Sequence, residues 1–177
     1  MKIKLSYDLQ IDSIVDGFGL RIVLWTQGCP HKCVGCHNPE THDFNLGFYE
    51  EIESIKEVIK KNNHVDGITL SGGEPFLQSI ECLEIAKYVH SLNKTVWCYT
   101  GYDYEYLIEQ NNELTELLKE VDVLVDGKFI LNKKSFDVPF RGSVNQRLID
   151  VKKSILKNKV VLLEDKLKED KKDYIFI

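Results

Sequence analysis

The chain lacks any apolar run long enough to cross a bilayer. Its longest runs, such as Ile22–Trp25 and Val160–Leu163, fall far short of the ~20 residues a spanning helix needs. It also lacks a surplus of positive charge. Lys and Arg total 23 against 28 Asp and Glu, a net charge of −5, so no basic stripe is available to neutralise phosphates and nucleic acid is not an expected partner. The opening MKIKLSYDLQ has no apolar core of a secretory signal. There is no internal repeat and no low-complexity linker. The five cysteines are an odd number in a chain without a signal, which argues against a disulfide scaffold. These absences leave the expectation of a soluble, cytoplasmic protein with no membrane and no nucleic-acid partner. Its 177 residues, 43% of them hydrophobic, suit one domain with a real core.

What is present is an alternation of strands and helices. Arg21–Thr26 (RIVLWT), Gly67–Leu70 (GITL), Thr95–Tyr99 (TVWCY) and Asp122–Val125 (DVLV) are compact apolar runs rich in strand formers. Between them, Glu50–Lys61 carries Ile52, Ile55, Val58 and Ile59 at helical spacing, and Ser79–Leu92 carries Cys82, Ile85, Ala86 and Val89 on one face. A helical stretch from Asp103 towards Lys119 is interrupted at Asn111-Asn112. The alternation predicts βαβ units and a parallel sheet. Each strand runs into a segment of unusual chemistry: cysteines, Ser71-Gly72-Gly73-Glu74-Pro75, Thr100-Gly101, and Asp126-Gly127-Lys128. In parallel α/β architecture the carboxyl ends of the strands share one rim, so these four segments converge on one site. A closed (β/α)8 barrel takes about 250 residues, so this chain can form only an incomplete (β/α) barrel, open on one side. The partial barrel is expected over residues 1–163, with Lys159–Leu163 as a further strand. Residues 164–177 are a charged tail ending in YIFI, a candidate short edge strand.

Three of the five cysteines crowd into one loop, Gln27-Gly28-Cys29-Pro30-His31-Lys32-Cys33-Val34-Gly35-Cys36-His37-Asn38, spaced C-x3-C-x2-C. Three thiolates this close can each ligate one iron of a [4Fe–4S] cubane. Cys82 on a helix face and Cys98 inside a strand read as small core residues, so the fourth iron has no protein thiolate and stays open to an exogenous chelator. A structural zinc site using these cysteines with His31 or His37 would draw all its ligands from one short loop, whereas such sites pair ligands from separated segments. A Cys33/Cys36 redox pair would need a thioredoxin-like context the sequence lacks. The turn Ser71-Gly72-Gly73-Glu74 could cradle a phosphate, but Glu74 would repel an anion and favours a ligand presenting a cation. Asp126 can accept hydrogen bonds from hydroxyls, and Lys128 can meet a carboxylate.

C-x3-C-x2-C followed by a strand-terminal Gly-Gly-Glu resembles the radical S-adenosylmethionine superfamily. The resemblance implies that the open iron chelates the cofactor's methionine amino and carboxylate groups. Reductive cleavage then yields methionine and a 5′-deoxyadenosyl radical. It also implies adenine contacts at Gly35, Cys36 and His37, although Gly35 stands where many members place an aromatic. Asp16-Gly17-Phe18-Gly19-Leu20-Arg21 resembles the Asp-Gly-Pro-Gly-Ile-Arg of glycyl-radical-enzyme activases, with Phe18 in place of proline. Related activases carry an Asp-x-Lys like Asp126–Lys128; Thr100-Gly101, by its own place at a strand end, is a further candidate contact. The runs TQGCPHKCVGCHNPET, LSGGEPF, DVLVDGKF and FRGSVNQRLIDV are similar to activases of anaerobic ribonucleoside-triphosphate reductase. What this implies is hydrogen abstraction from a glycine in a C-terminal loop of that reductase, with reduced flavodoxin or a similar electron donor. Asp16, and less directly Arg141 and Arg147, are candidates for holding the substrate loop. An activase of another glycyl radical enzyme, such as a pyruvate formate-lyase, shares the chemistry. A plain electron carrier would have no use for the Gly-Gly-Glu.

Overall fold

The computed structural model describes residues 1–163. The predicted charged tail, and the edge strand expected at its YIFI end, lie outside the described residues. Among the described residues there are eight strands: β1 (Lys2–Leu5), β2 (Gln10–Ser13), β3 (Arg21–Thr26), β4 (Phe48–Glu51), β5 (Gly67–Gly72), β6 (Thr95–Tyr99), β7 (Val123–Asp126) and β8 (Arg147–Asp150). Five α-helices accompany them among the described residues: α1 (Ile52–Lys61), α2 (Ser79–Ser91), α3 (Tyr104–Glu109), α4 (Glu113–Lys119) and α5 (Val151–Lys157).

The four predicted strands are β3, β5, β6 and β7, and they pair in parallel in that order. Their register runs Val23↔Thr69↔Trp97↔Val123, which brings Thr26, Gly72, Tyr99 and Asp126 to the same rim. β3 and β5 are buried along almost their whole length, as expected of parallel strands covered on both faces. One face is sealed by Ile52, Ile55 and Ile59 of α1, by Cys82, Ile85, Ala86 and Val89 of α2, and by Leu117 and Leu118 of α4. Cys82 and Cys98 are fully buried there, as read from the sequence. The other face carries a smaller cluster in which Trp97, Val123, Val125 and Leu148 meet Leu163, alternate residues of β6 and β7 facing the same way. The expected helix break is real. Asn111 takes a left-handed conformation (φ 52°), and the Asn112 side chain accepts from Leu114 N at 3.0 Å to start α4.

The sheet is larger than the four predicted strands, and among the described residues it is open. β1 and β4 extend it antiparallel beyond β3, β2 pairs with the first half of β3, and β8 adds antiparallel to β7. Glu50 and Glu51, expected in a helix, belong to β4. Lys159–Leu163, expected as a strand, makes one bridge only, Ile149↔Leu162. Its start is spent on ending α5: Asn158 is left-handed, and Lys159 N and Val161 N bond to the Ser154 carbonyl and hydroxyl.

Arg21 is the largest fully buried side chain, and its partners are neutral. Nε donates to Thr69 Oγ1 (2.7 Å), Nη1 to Phe18 O (3.0 Å) and Thr95 Oγ1 (3.1 Å), and Nη2 to Ile68 O and Thr95 O. The guanidinium also lies over the Trp97 ring. Burial lowers its pKa to about 10, opposed by the more distant Asp122 and Asp66. Since Thr69 Oγ1 in turn donates to Asp16 O at 2.7 Å, Arg21 pins both ends of the Asp16–Gly19 loop to the sheet. A lysine cannot satisfy this fork of acceptors. Arg21→Lys is expected to lower unfolding free energy by about 2 kcal/mol; a denaturation midpoint unchanged within error would contradict it.

Candidate active site

The rim above β3, β5, β6 and β7 encloses a cavity of about 420 Å³. Its lining includes Cys29, Cys33, Cys36 and His37 from the loop after β3, with Ser71, Gly72 and Gly73 from the end of β5. Thr100 and Gly101 follow β6, Gly127 and Lys128 follow β7, and Asp16 comes from the loop after β2. The four segments separated in sequence thus meet at one place.

Backbone contacts hold the cysteine loop to its neighbour. Gly73 N donates to Thr26 O (2.8 Å), Glu74 N to Gly28 O (2.9 Å) and Gly28 N to Thr41 O (2.8 Å). Both glycines of the turn are required by space. A Cβ on Gly73 would sit 2.3 Å from Gly28 O, and Gly72 (φ 98°) would drive one into the Thr26 backbone. Their small size therefore serves the approach of two backbones as well as the cavity they line.

Glu74 takes a different place from the one expected. It is fully buried and does not line the cavity. Oε1 accepts from Thr100 Oγ1 (2.8 Å) and Phe76 N (3.1 Å), and Oε2 accepts from Gly101 N (2.9 Å) and pairs with His31 Nε2 (2.8 Å). With every direction filled by the protein, the carboxylate joins three strand ends rather than facing a ligand's cation. His31, which lines the cavity, is held by Glu74 and packed edge-on against Tyr102, and His37 leans on Phe129.

Asp126, read from the sequence as a hydroxyl acceptor, has protein partners in this structure. It is buried, and accepts from Tyr104 N (2.8 Å) at the start of α3 and from Arg147 Nε (2.9 Å) and Nη2 (2.5 Å). Arg147 simultaneously forks onto Glu105 (3.0 and 2.7 Å) and is absent from the cavity lining. Gly35 does not line the cavity; it turns at φ 74° with Leu131 packed against it. Thr100 lines it, but its hydroxyl is spent on Glu74 and Tyr102 N. Lys128 lines the cavity, is exposed there and forms no ion pair among the described residues. Asp16 lines the cavity with Oδ2 accepting from Ser13 Oγ (2.5 Å), and Arg141 lines it with Nη1 donating to Gln146 O (3.3 Å).

Sequence reasoning missed Tyr99, Trp25, Phe140 and Gln146 in the lining. Tyr99 was findable, because in TVWCY it shares a face with Trp97 at the rim end of the strand. Burial first, and then Asp16, push its phenol well above the usual tyrosine range, so it stays a neutral donor. Gln146 binds the FRGSVNQR segment to the end of β7. It accepts from Gly142 N (2.9 Å) and Ser143 N (3.2 Å) and donates to Gly127 O (3.0 Å).

The donor set fits an iron–sulfur cluster. Three thiols of one loop face one cavity, while Cys82 and Cys98 are sealed behind the sheet and cannot supply a fourth. Burial raises the Cys29 thiol to about 11 and raises Cys36, so iron must displace the proton on binding. Asn38 N already points at Cys36 Sγ (3.4 Å), the kind of donor that stabilises a ligating thiolate.

Residues 15–149 match the family described as 4Fe-4S single cluster domain, a span containing the three cysteines and all four strand ends. The anaerobic ribonucleoside-triphosphate reductase-activating protein of Enterobacteria phage T4 is 37% identical over 142 residues, 76% of this chain and 86% of that protein. Its namesake from Salmonella typhi is 37% identical over 141 residues (75% and 90%), and that of Escherichia coli K12 is 36% identical over 142 residues (75% and 90%). Among solved structures, QueE from Escherichia coli superposes with a TM-score of 0.52 at 13% identity, over 71% of this chain and 70% of that one, which shows a shared fold. The cysteine cavity, the matched domain and relatives aligned over most of their length agree: the chain belongs to the 4Fe-4S single cluster family and, within it, to the anaerobic ribonucleoside-triphosphate reductase-activating proteins.

Proposed function

We propose that this protein activates an anaerobic ribonucleoside-triphosphate reductase as a radical S-adenosylmethionine enzyme. When bound on Cys29, Cys33 and Cys36, a [4Fe–4S] cluster supplies one electron that splits S-adenosylmethionine to methionine and a 5′-deoxyadenosyl radical, which takes a hydrogen atom from a glycine of the reductase. The convergence of the three cysteines with three other strand ends on one cavity carries this proposal.

The chain's own residues bind and orient. Lys128, exposed at the cavity without an ion-pair partner among the described residues, meets the methionine carboxylate. Gly72 and Gly73 let the cofactor lie against backbone, with Ser71, Cys36 and His37 beside it. The neutral Tyr99 phenol donates, and Asp16 accepts, hydrogen bonds to the backbone of the entering glycine segment. Hydrogen abstraction needs no acid or base, so no side chain is assigned to proton transfer. Lys128→Ala is expected to raise the Kd for S-adenosylmethionine about tenfold, the size of one lost charge-assisted contact; isothermal titration with an unchanged Kd would remove Lys128 from the site.

Among the described residues no helix is long and apolar enough to cross a membrane, and we place the protein in the cytoplasm, with reduced flavodoxin or a similar donor as the source of the electron. The test is anaerobic reconstitution, reduction, and assay for 5′-deoxyadenosine together with the glycyl radical signal of the reductase. Activation of a pyruvate formate-lyase but not of the reductase would overturn the choice of partner. Intact S-adenosylmethionine after reduction would reduce the protein to an electron carrier.

A further inference from the structure

Beside the cysteine cavity lies a second groove of about 460 Å³. One lip is Ile14 and Val15 in the loop after β2. The other is the segment from Lys134 to Phe140. Val15, His37, Phe140, Arg141 and Gly142 line both spaces, so the groove and the cavity are continuous. Its apolar side chains face solvent: Phe136 is 91% exposed, Ile14 72% and Val15 68%. Contiguous apolar surface of this kind marks a place where something docks.

Charge narrows what docks. Among the described residues no carboxylate lines the groove, and Asp137 on the same segment is not part of it. Lys134 lines it, with its ammonium 5.1 Å from the centre of the Phe136 ring. On a chain of net charge −5, this is a local positive spot set in an apolar surface. The wall shared with the cavity is fixed by three rings. Phe18, Trp97 and Phe140 pack edge to face, with centroids 5.0 to 5.4 Å apart. Phe18 stands where the resembling activases have proline. Its ring ties the loop bearing Ile14, Val15 and Asp16 to the segment bearing Phe140, so both lips are held at a set distance.

We propose that this groove seats the stretch of the protein substrate that leads its glycine into the cysteine cavity, and that the stretch is an extended peptide carrying an apolar side chain next to a carboxylate. The assignment rests on the function proposed above. The apolar side chain covers Phe136, Ile14 and Val15, and the carboxylate meets Lys134.

The test uses the reconstituted holoenzyme and the cognate reductase, reading KM for the reductase, kcat, and 5′-deoxyadenosine formed without reductase. Phe136→Ala and Lys134→Glu are each expected to raise KM about tenfold, as an apolar anchor and an interfacial charge do. In both, kcat and reductase-free cleavage hold their wild-type values. The Lys134→Glu effect shrinks with added salt, and Lys134→Arg behaves as wild type. Leu156→Ala, exposed on α5 and lining neither space, leaves KM unchanged. Both Phe136 and Lys134 are exposed, so folding is not at stake. If the wild type activates the reductase and neither variant moves KM, the groove is not the seat, and the proposed function stands. If the wild type cleaves S-adenosylmethionine yet never generates a glycyl radical in the reductase, the proposed function fails and takes the groove assignment with it.

Discussion

Replacing any one of Cys29, Cys33 or Cys36 with alanine is expected to abolish both the [4Fe–4S] cluster and the cleavage of S-adenosylmethionine. A cubane with an open iron has only three protein thiolates, and neither of the other two cysteines can replace one. Cys82 and Cys98 are fully buried behind the sheet, their thiols driven up by burial. His31 is held by Glu74. The loss is chemical rather than structural. Cys33 and Cys36 are partly exposed and Cys29 is small, so removing a thiol from the metal-free protein changes stability by about 1 kcal/mol or less. Cys82→Ala and Cys98→Ala are expected to do the reverse. They keep iron and cleavage activity while costing roughly 1–2 kcal/mol of core packing. Iron and acid-labile sulfide per chain, read beside 5′-deoxyadenosine yield and a metal-free melting curve, separates the two groups. Retained cleavage in any loop variant would count decisively against the cluster assignment.

Glu74→Ala is expected to destabilise the cofactor-free protein by about 3–5 kcal/mol, the cost of stripping the partner from several buried donors. The sign is what distinguishes two roles. A carboxylate held in reserve for a ligand's ammonium is unsatisfied until the ligand arrives, so removing it would leave the free protein as stable or more so. A carboxylate already accepting from Thr100, Gly101 and Phe76 and paired with His31 contributes stability with no ligand present. Glu74→Gln tests the same point with little change of volume. The amide nitrogen must oppose one of the donors, so a loss of about 2 kcal/mol is expected. Denaturant unfolding of the metal-free variants decides it; unchanged midpoints would return Glu74 to the role of a direct cofactor contact.

Glu74 and Asp126 also show where reading a sequence stops. Each lies in a strand-end motif and carries a charge that looks available. The groups that use up those charges are distant in the chain: Glu74 meets His31 and Gly101, and Asp126 meets Arg147. No spacing rule links such residues, because only the stacking of β3, β5, β6, β7 and β8 side by side brings them within bonding distance. The same holds for Tyr99, Phe140 and Gln146, which reach the cavity through sheet register and loop packing. Phe18 was visible as a departure from proline, but its contact with Trp97 and Phe140 was not.

The local features were legible because their causes are local. Continuous β-branched and apolar runs mark buried parallel strands, apolar residues at three- and four-residue intervals mark α1 and α2, and Asn111-Asn112 breaks the helix where a left-handed residue and a side-chain cap are both available. The C-x3-C-x2-C loop announces cluster chemistry because three thiolates so close together have few other uses. β1, β2, β4 and β8 escaped notice because four-residue, half-exposed segments such as QIDS form strands only when a neighbour offers its edge. The sequence by itself determined the parallel core, the cysteine loop and the rim on which it stands. The tertiary structure alone decided which charges on that rim face the cavity and which are spent inside, since burial and pairing belong to the assembled sheet and not to any one segment.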